Sequence, residues 1–218
     1  MTVTTLMHSR SSRFAVLAVA LTTISSLFAI IAWGQAYNWY IPLGTFYALF
    51  PVFGLLAFSI MWSQYMVEAA KNLSTQPVHL KKYFRYTSYA VLVAILLHPS
   101  LLIAQRFKDG YGLPPASYLS YVVPAHKWLV LLGSLSFMIF LAFSLKHWLD
   151  RYSWWRHVLI LNDIAILAIF YHGLRLGTSL HHGWFQMLWY FYGVTLVAAL
   201  SLKYYKRLNP TPPAGNVL

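Results

Sequence analysis

The chain has 218 residues, 59% hydrophobic and only 9% charged, whereas a soluble domain carries about 25% charged residues; an ordinary soluble protein is excluded. Sixteen Lys and Arg against four Asp and Glu leave a formal net charge of +12, and there is no Cys. That excludes disulfides, thiolate metal sites, cysteine-held iron–sulfur clusters and covalent C-x-x-C-H haem attachment.

Six apolar runs are long enough for membrane helices. The first, Phe14 to Trp33, follows Arg10 and Arg13 and is too long for the apolar part of a signal peptide, so it is expected to remain as a helix. Tyr37, Trp39 and Tyr40 follow it at the expected headgroup level. The second runs from Leu43 to Met66, with Glu68 beyond its end. The third, Phe84 to Ala104, contains His98 and Pro99; Arg106 and Lys108 lie past it. The fourth, Trp128 to Leu145, begins after His126 and ends before His147, and Gly133, Ser134 and Ser136 give it a face for close helix approach. The fifth, His157 to Leu174, carries Asp163 and His172, with Arg175 just beyond. After His181 and His182 the sixth runs from Gln186 to Leu202, with Gly193 inside it. Residues 1–208 are thus expected to form one six-helix membrane domain, and 209–218, with three prolines, a short disordered tail. No internal repeat is visible in the sequence.

The basic residues orient this bundle. Twelve of the sixteen Lys and Arg lie at the N-terminus, the 2–3 loop, the 4–5 loop and the C-terminal tail; Arg106, Lys108, Lys127 and Arg175 lie on the other side. The positive-inside rule places both termini in the cytoplasm. Nucleic-acid binding needs a basic stripe on a soluble face, and here the charges stand singly or in pairs at span ends. Tyr83, Tyr86, Trp148, Trp154, Trp155, Tyr204 and Tyr205 mark the inner boundary as interfacial anchors.

Ionisable side chains within a span are costly and point to function. His98 lies fourteen residues past Phe84, roughly 21 Å along a helix, and His172 sixteen past Arg156, roughly 24 Å, at about 1.5 Å per residue. Both helices enter from the same side, so the imidazoles reach similar depth near the outer leaflet. Two such imidazoles can ligate a haem iron from opposite faces within a bundle; the plainer alternative is a pair of interhelical hydrogen bonds. Zinc fits less well, because a structural site wants four ligands. Arg106 and Arg175 can pair with haem propionates or anchor lipid phosphates. His126, His181 and His182 are solvated loop residues or auxiliary ligands. His157 lies about 60° from His172 around the fifth helix, from the period of 3.6, so a second, inner haem is geometrically open. Its partner on the third span would fall at residues 83–86, where there is no His; His79 and His147 are nearby loop residues. Asp163 and Glu68 are expected to find interhelical hydrogen bonds or a basic partner.

The stretch from His98 to Gly177 resembles the ferric reductase-like transmembrane domain, the superfamily of the membrane parts of NADPH oxidases and ferric reductases and of the haem-binding subunit of bacterial methionine-sulfoxide reductase systems. The likeness rests on A-I-L-L-H-P-S around His98, the Gly- and Ser-containing fourth span, and W-W-R-H-V-L-I-L-N-D-I-A-I-L-A-I-F-Y-H-G-L-R-L-G from Trp154 to Gly177. It implies b-type haem on third- and fifth-span histidines, here His98 and His172, and electrons moving toward an outer-side acceptor. His157 matches the family's inner ligand only loosely, since the family's spacing is about two residues shorter and points to Leu159; the third span lacks the inner His altogether. One haem is therefore favoured over two. With no Gly-rich dinucleotide fingerprint, the donor is expected to be a separate flavin reductase or a quinol. The expectation is the transmembrane oxidoreductase component of a ferric reductase-like system in a bacterial cytoplasmic membrane. The alternatives are a haem-free transporter or channel component, its histidines relaying protons or metal, and a membrane scaffold.

Overall fold

A computed structural model of the protein describes residues 3–40, 42, 44–74, 79–145, 151–180 and 183–209. Lys146, His147, Trp148, His181, His182 and the tail after Asn209 lie outside the described residues. Six long helices follow in chain order: α1 Val3–Ala36, α2 Phe50–Leu73, α3 Lys81–Lys108, α4 Lys127–Ser144, α5 Trp155–Leu176 and α6 Trp184–Leu208. Each is long and apolar enough to cross a membrane. A short helix Ala116–Leu119 and single turns at Pro124–His126 and Thr178–Leu180 lie in the connections, and there is no strand among the described residues.

The second span sits about seven residues later than its hydropathy suggests. Before Phe50 the chain turns instead of coiling: the amides of Leu49 and Phe50 both donate to the carbonyl of Phe46. Pro51 then opens α2 in its first turn, where a missing N–H costs nothing. Apolar composition alone does not separate such a turn from the helix it leads into. Pro99 lies inside α3, which continues through it to Lys108.

The outward faces are apolar. Val16 and Leu17 on α1, Leu131 and Met138 on α4, and Met187 and Val194 on α6 are each at least 59% exposed, a surface suited to lipid and not to water. The interior is centred on α2: half of its most apolar stretch is buried, against 17% for α1, α3 and α4. Helix α2 packs against α1, α3, α5 and α6, and α4 packs against α5 and α3. Helices α2, α3, α4 and α5 thereby close a ring in which α3 and α5 occupy opposite corners.

Aromatic rings fill the seam between α2 and α6. Phe58 lies 4.2 Å from Trp189 and Trp62 lies 4.1 Å from Tyr192, between ring centroids. The Trp62 indole also donates to Thr195 Oγ1 at 2.9 Å. Gly193 permits close approach of α6 to α5 as expected, because a Cβ there would stand 2.5 Å from the Phe170 ring. Hydroxyl groups tie α1 to its neighbours: Thr22 Oγ1 lies 2.8 Å from both Ser63 Oγ and Tyr83 Oη. Such bonds matter in lipid, where a polar group has no water to turn to.

The expected inner aromatic anchors divide. Tyr86, Trp154 and Tyr205 are exposed, whereas Tyr83 and Trp155 are buried and Tyr204 bonds to Asp163. Trp154 and Trp155, like Tyr204 and Tyr205, are neighbours whose side chains point about 100° apart, so one of each pair turns inward; Tyr83 is held inward by Thr22.

Candidate functional site

Two histidines stand in the four-helix ring. His98 on α3 places Nδ1 2.8 Å from the carbonyl oxygen of Phe50 on α2. His172 on α5 places Nδ1 2.9 Å from the carbonyl oxygen of Leu129 on α4. A carbonyl oxygen only accepts, so in each neutral ring the proton resides on Nδ1. Nε2 therefore keeps its lone pair, and it makes no hydrogen bond among the described residues.

Both histidines are half-buried. Small residues make room for the rings: a Cβ on Gly54 would stand 2.9 Å from the His98 ring, and one on Gly133 would stand 2.7 Å from the His172 ring. The expected role of Gly133 in close approach is thus met, with an imidazole as the group that approaches. Phe50 packs against His98 at 5.4 Å between ring centroids.

A haem held between two imidazoles would require unprotonated nitrogens from separate helices and a partner fixing each ring's other nitrogen. His98 and His172 stand on separate helices, each with Nδ1 at a carbonyl and Nε2 without a hydrogen bond among the described residues, so the two rings fit that requirement. Among the described residues no three or more of His, Cys, Asp and Glu gather as a metal-binding group.

The end of the ring at the C-terminus of α3 is closed by polar residues around Arg106. Arg106 is 7% exposed. Nη2 donates to Ser120 Oγ at 2.6 Å, Nη1 to Tyr47 Oη at 3.4 Å, and Nε to the carbonyl of Ser117 at 3.4 Å. The face of Tyr111 lies 3.4 Å away. Arg106 is therefore no exposed lipid-phosphate anchor, because the loop after α3 folds over it. No carboxylate comes within ion-pair distance of it among the described residues. Tyr47 donates to Asp109 Oδ2 at 2.5 Å and Gln105 donates to Asp109 Oδ1 at 2.8 Å. The Tyr47 bond, aided by Gln105 and the Arg106 charge, holds the Asp109 carboxyl below its ordinary range. Desolvation, and then the same bond to Asp109, pushes the Tyr47 hydroxyl up. Tyr121 joins this layer to the histidine, 5.8 Å from both Tyr47 and Phe50 between ring centroids.

The remaining candidates fall elsewhere. His157, at the start of α5, is exposed, as are Arg175, His79 and Glu68; His126 is half-buried at the start of α4. Asp163 does find the basic partner expected for it: Lys203 Nζ lies 2.7 and 2.9 Å from its two oxygens. Tyr65 and Tyr204 donate to it at 2.7 and 2.8 Å, and Asn162 donates to Tyr65. Sequence reasoning missed Gly54 and the two carbonyls. A glycine within an apolar span was the signal for the first; a backbone carbonyl leaves no mark in a sequence.

No family model matches the chain, and no curated protein or solved structure matches it.

Proposed function

We propose that the protein binds one b-type haem between His98 and His172 and serves as a membrane electron-transfer component. The observation that carries this reading is the pair of imidazoles on opposite corners of the α2–α5 ring, each with Nδ1 committed to a carbonyl and Nε2 free. A bound haem would supply a one-electron carrier. His98 and His172 would hold its iron, while the carbonyls of Phe50 and Leu129 fix each ring's tautomer and raise its basicity. Arg106, a buried cation without a carboxylate at ion-pair distance among the described residues, is suited to a propionate. The exposed position of His157 supports one haem over two.

In this reading both termini are cytoplasmic and the haem lies toward the outer leaflet of a bacterial inner membrane. The donor is a quinol or a separate flavin reductase, and the acceptor lies on the outer side.

A reduced-minus-oxidised spectrum with haem quantification tests the proposal. Purified protein expressed with ample haem is expected to show a low-spin bis-histidine spectrum at one haem per chain. Protein without haem, or with an unchanged spectrum in both His98→Ala and His172→Ala, defeats it.

A further inference from the structure

The two histidine stations are built alike. On α2 the carbonyl that accepts from His98 belongs to Phe50, and the glycine under the ring is Gly54. On α4 the carbonyl that accepts from His172 belongs to Leu129, and the glycine under the ring is Gly133. The offset is four residues in both. In an α-helix the carbonyl of residue i points toward the amide of i+4, so the side chain at i+4 stands beside any outside donor to that carbonyl. A Cβ at Gly54 would lie 2.9 Å from both Cε1 and Nδ1 of His98. A Cβ at Gly133 would lie 2.7 Å from Cε1 and 2.9 Å from Nδ1 of His172. Each imidazole fills the volume that any other residue's side chain would occupy. Two unrelated segments have arrived at one construction, which makes a fortuitous contact a poor explanation for either.

We infer that Gly54 and Gly133 are positioning residues: each opens a slot that lets the histidine of the next helix reach a helical carbonyl with Nδ1 and so presents Nε2 as the ligand. The inference rests on the haem reading for its purpose but not for its geometry. A methyl group in the slot forces the ring away, and the shift is costly because the ring's hydrogen bond runs through its crowded edge. The ring then loses its fixed tautomer, its orientation and the basicity that the carbonyl lends it. Loss of such an outer partner weakens metal binding by about 10- to 100-fold.

The test uses full-length protein in detergent, both haem-free and haem-loaded, with Gly54→Ala, Gly133→Ala and the control Gly34→Ala. The control also places a Cβ against a ring, that of Trp39 at 2.5 Å, but on α1, which carries neither histidine and neither accepting carbonyl. In haem-free protein, nitrogen-15 resonances of the histidines report the tautomer. Gly54→Ala is expected to move only the His98 signals, Gly133→Ala only those of His172, and Gly34→Ala neither. In loaded protein the first two variants are expected to retain haem about 10-fold less well and to change the low-spin electron paramagnetic resonance signal. Unchanged histidine resonances in folded Gly54→Ala and Gly133→Ala, or equal changes in Gly34→Ala, overturn the inference. A variant that does not fold is answered by adding His98→Ala to Gly54→Ala. Removing the ring makes room for the methyl group, so folding returns if the collision is the one described, and continued unfolding overturns the inference. Should the wild type bind no haem while the resonances respond as expected, the electron-transfer reading falls and the slots stand.

Discussion

Asp163 and the two histidines pose one problem, a polar group inside an apolar bundle, and the protein answers it in opposite ways. Asp163 is saturated by Lys203, Tyr65 and Tyr204, and it is only 4% exposed. It ties α5 to α2 and α6, and it has nothing left to offer a ligand. The histidines each receive one partner and keep one nitrogen free, beside glycines whose missing side chains make room for the rings. The difference separates a structural polar group from a functional one. Burial alone does not distinguish them; leftover valence does.

Substitutions at the two places are expected to part company. His98→Ala or His172→Ala is expected to remove the low-spin haem spectrum entirely while leaving a folded bundle, as judged by helical circular dichroism and size-exclusion elution. Equal haem retention in both variants would place the ligands elsewhere. Asp163→Ala is expected to do the reverse. It strands Lys203, whose side chain is 34% exposed and so partly relieved by solvent, and it is expected to cost about 2 kcal/mol, less than a fully buried pair. Thermal unfolding measures that loss, and an unchanged haem spectrum in the same variant confirms the division.

Arg106→Gln lies between the two. It removes the buried charge suited to a propionate and loosens the outer loop, so haem is expected to be retained several-fold less tightly, with the bis-histidine spectrum intact. Haem transfer to apomyoglobin gives the rate. The smallest effect is expected at Asp109. Its folded-state pKa is depressed, so its contribution is present above its ordinary range and is lost as pH falls through the lower, folded value. The loop over Arg106 is expected to loosen below about pH 4. Tyr47→Phe, which removes the chief cause of the depression, is expected to flatten that acid dependence, followed by protease sensitivity of residues 109–123.

Much of this was legible beforehand. Six spans follow from apolar runs of bilayer length, and the third, fourth and fifth fall close to their hydropathy limits, while α1 begins eleven residues before its expected start and α6 runs six past its expected end, because hydrogen-bonded helix is the economical form of backbone in lipid. The second was displaced because the turn before Phe50 is itself apolar. His98 and His172 were legible as a pair because their residue counts from the same side match. The expected partner for Asp163 was legible in kind, but Lys203 was not identified, since nothing local joins two residues 40 positions apart. The inward turn of Arg106 was equally hidden, because it depends on a loop folding back over the end of α3.

The sequence by itself determined the solvent and the number of long helices, because length and composition are properties of one helix at a time. It could not decide which corners of the bundle α3 and α5 occupy, which carbonyl each imidazole meets, or which glycine lies beneath it. Those facts belong to pairs of helices. They are set by how side chains of different volume pack, and only the assembled ring shows that two unlike segments, Phe50 to Gly54 and Leu129 to Gly133, form the same seat for a histidine.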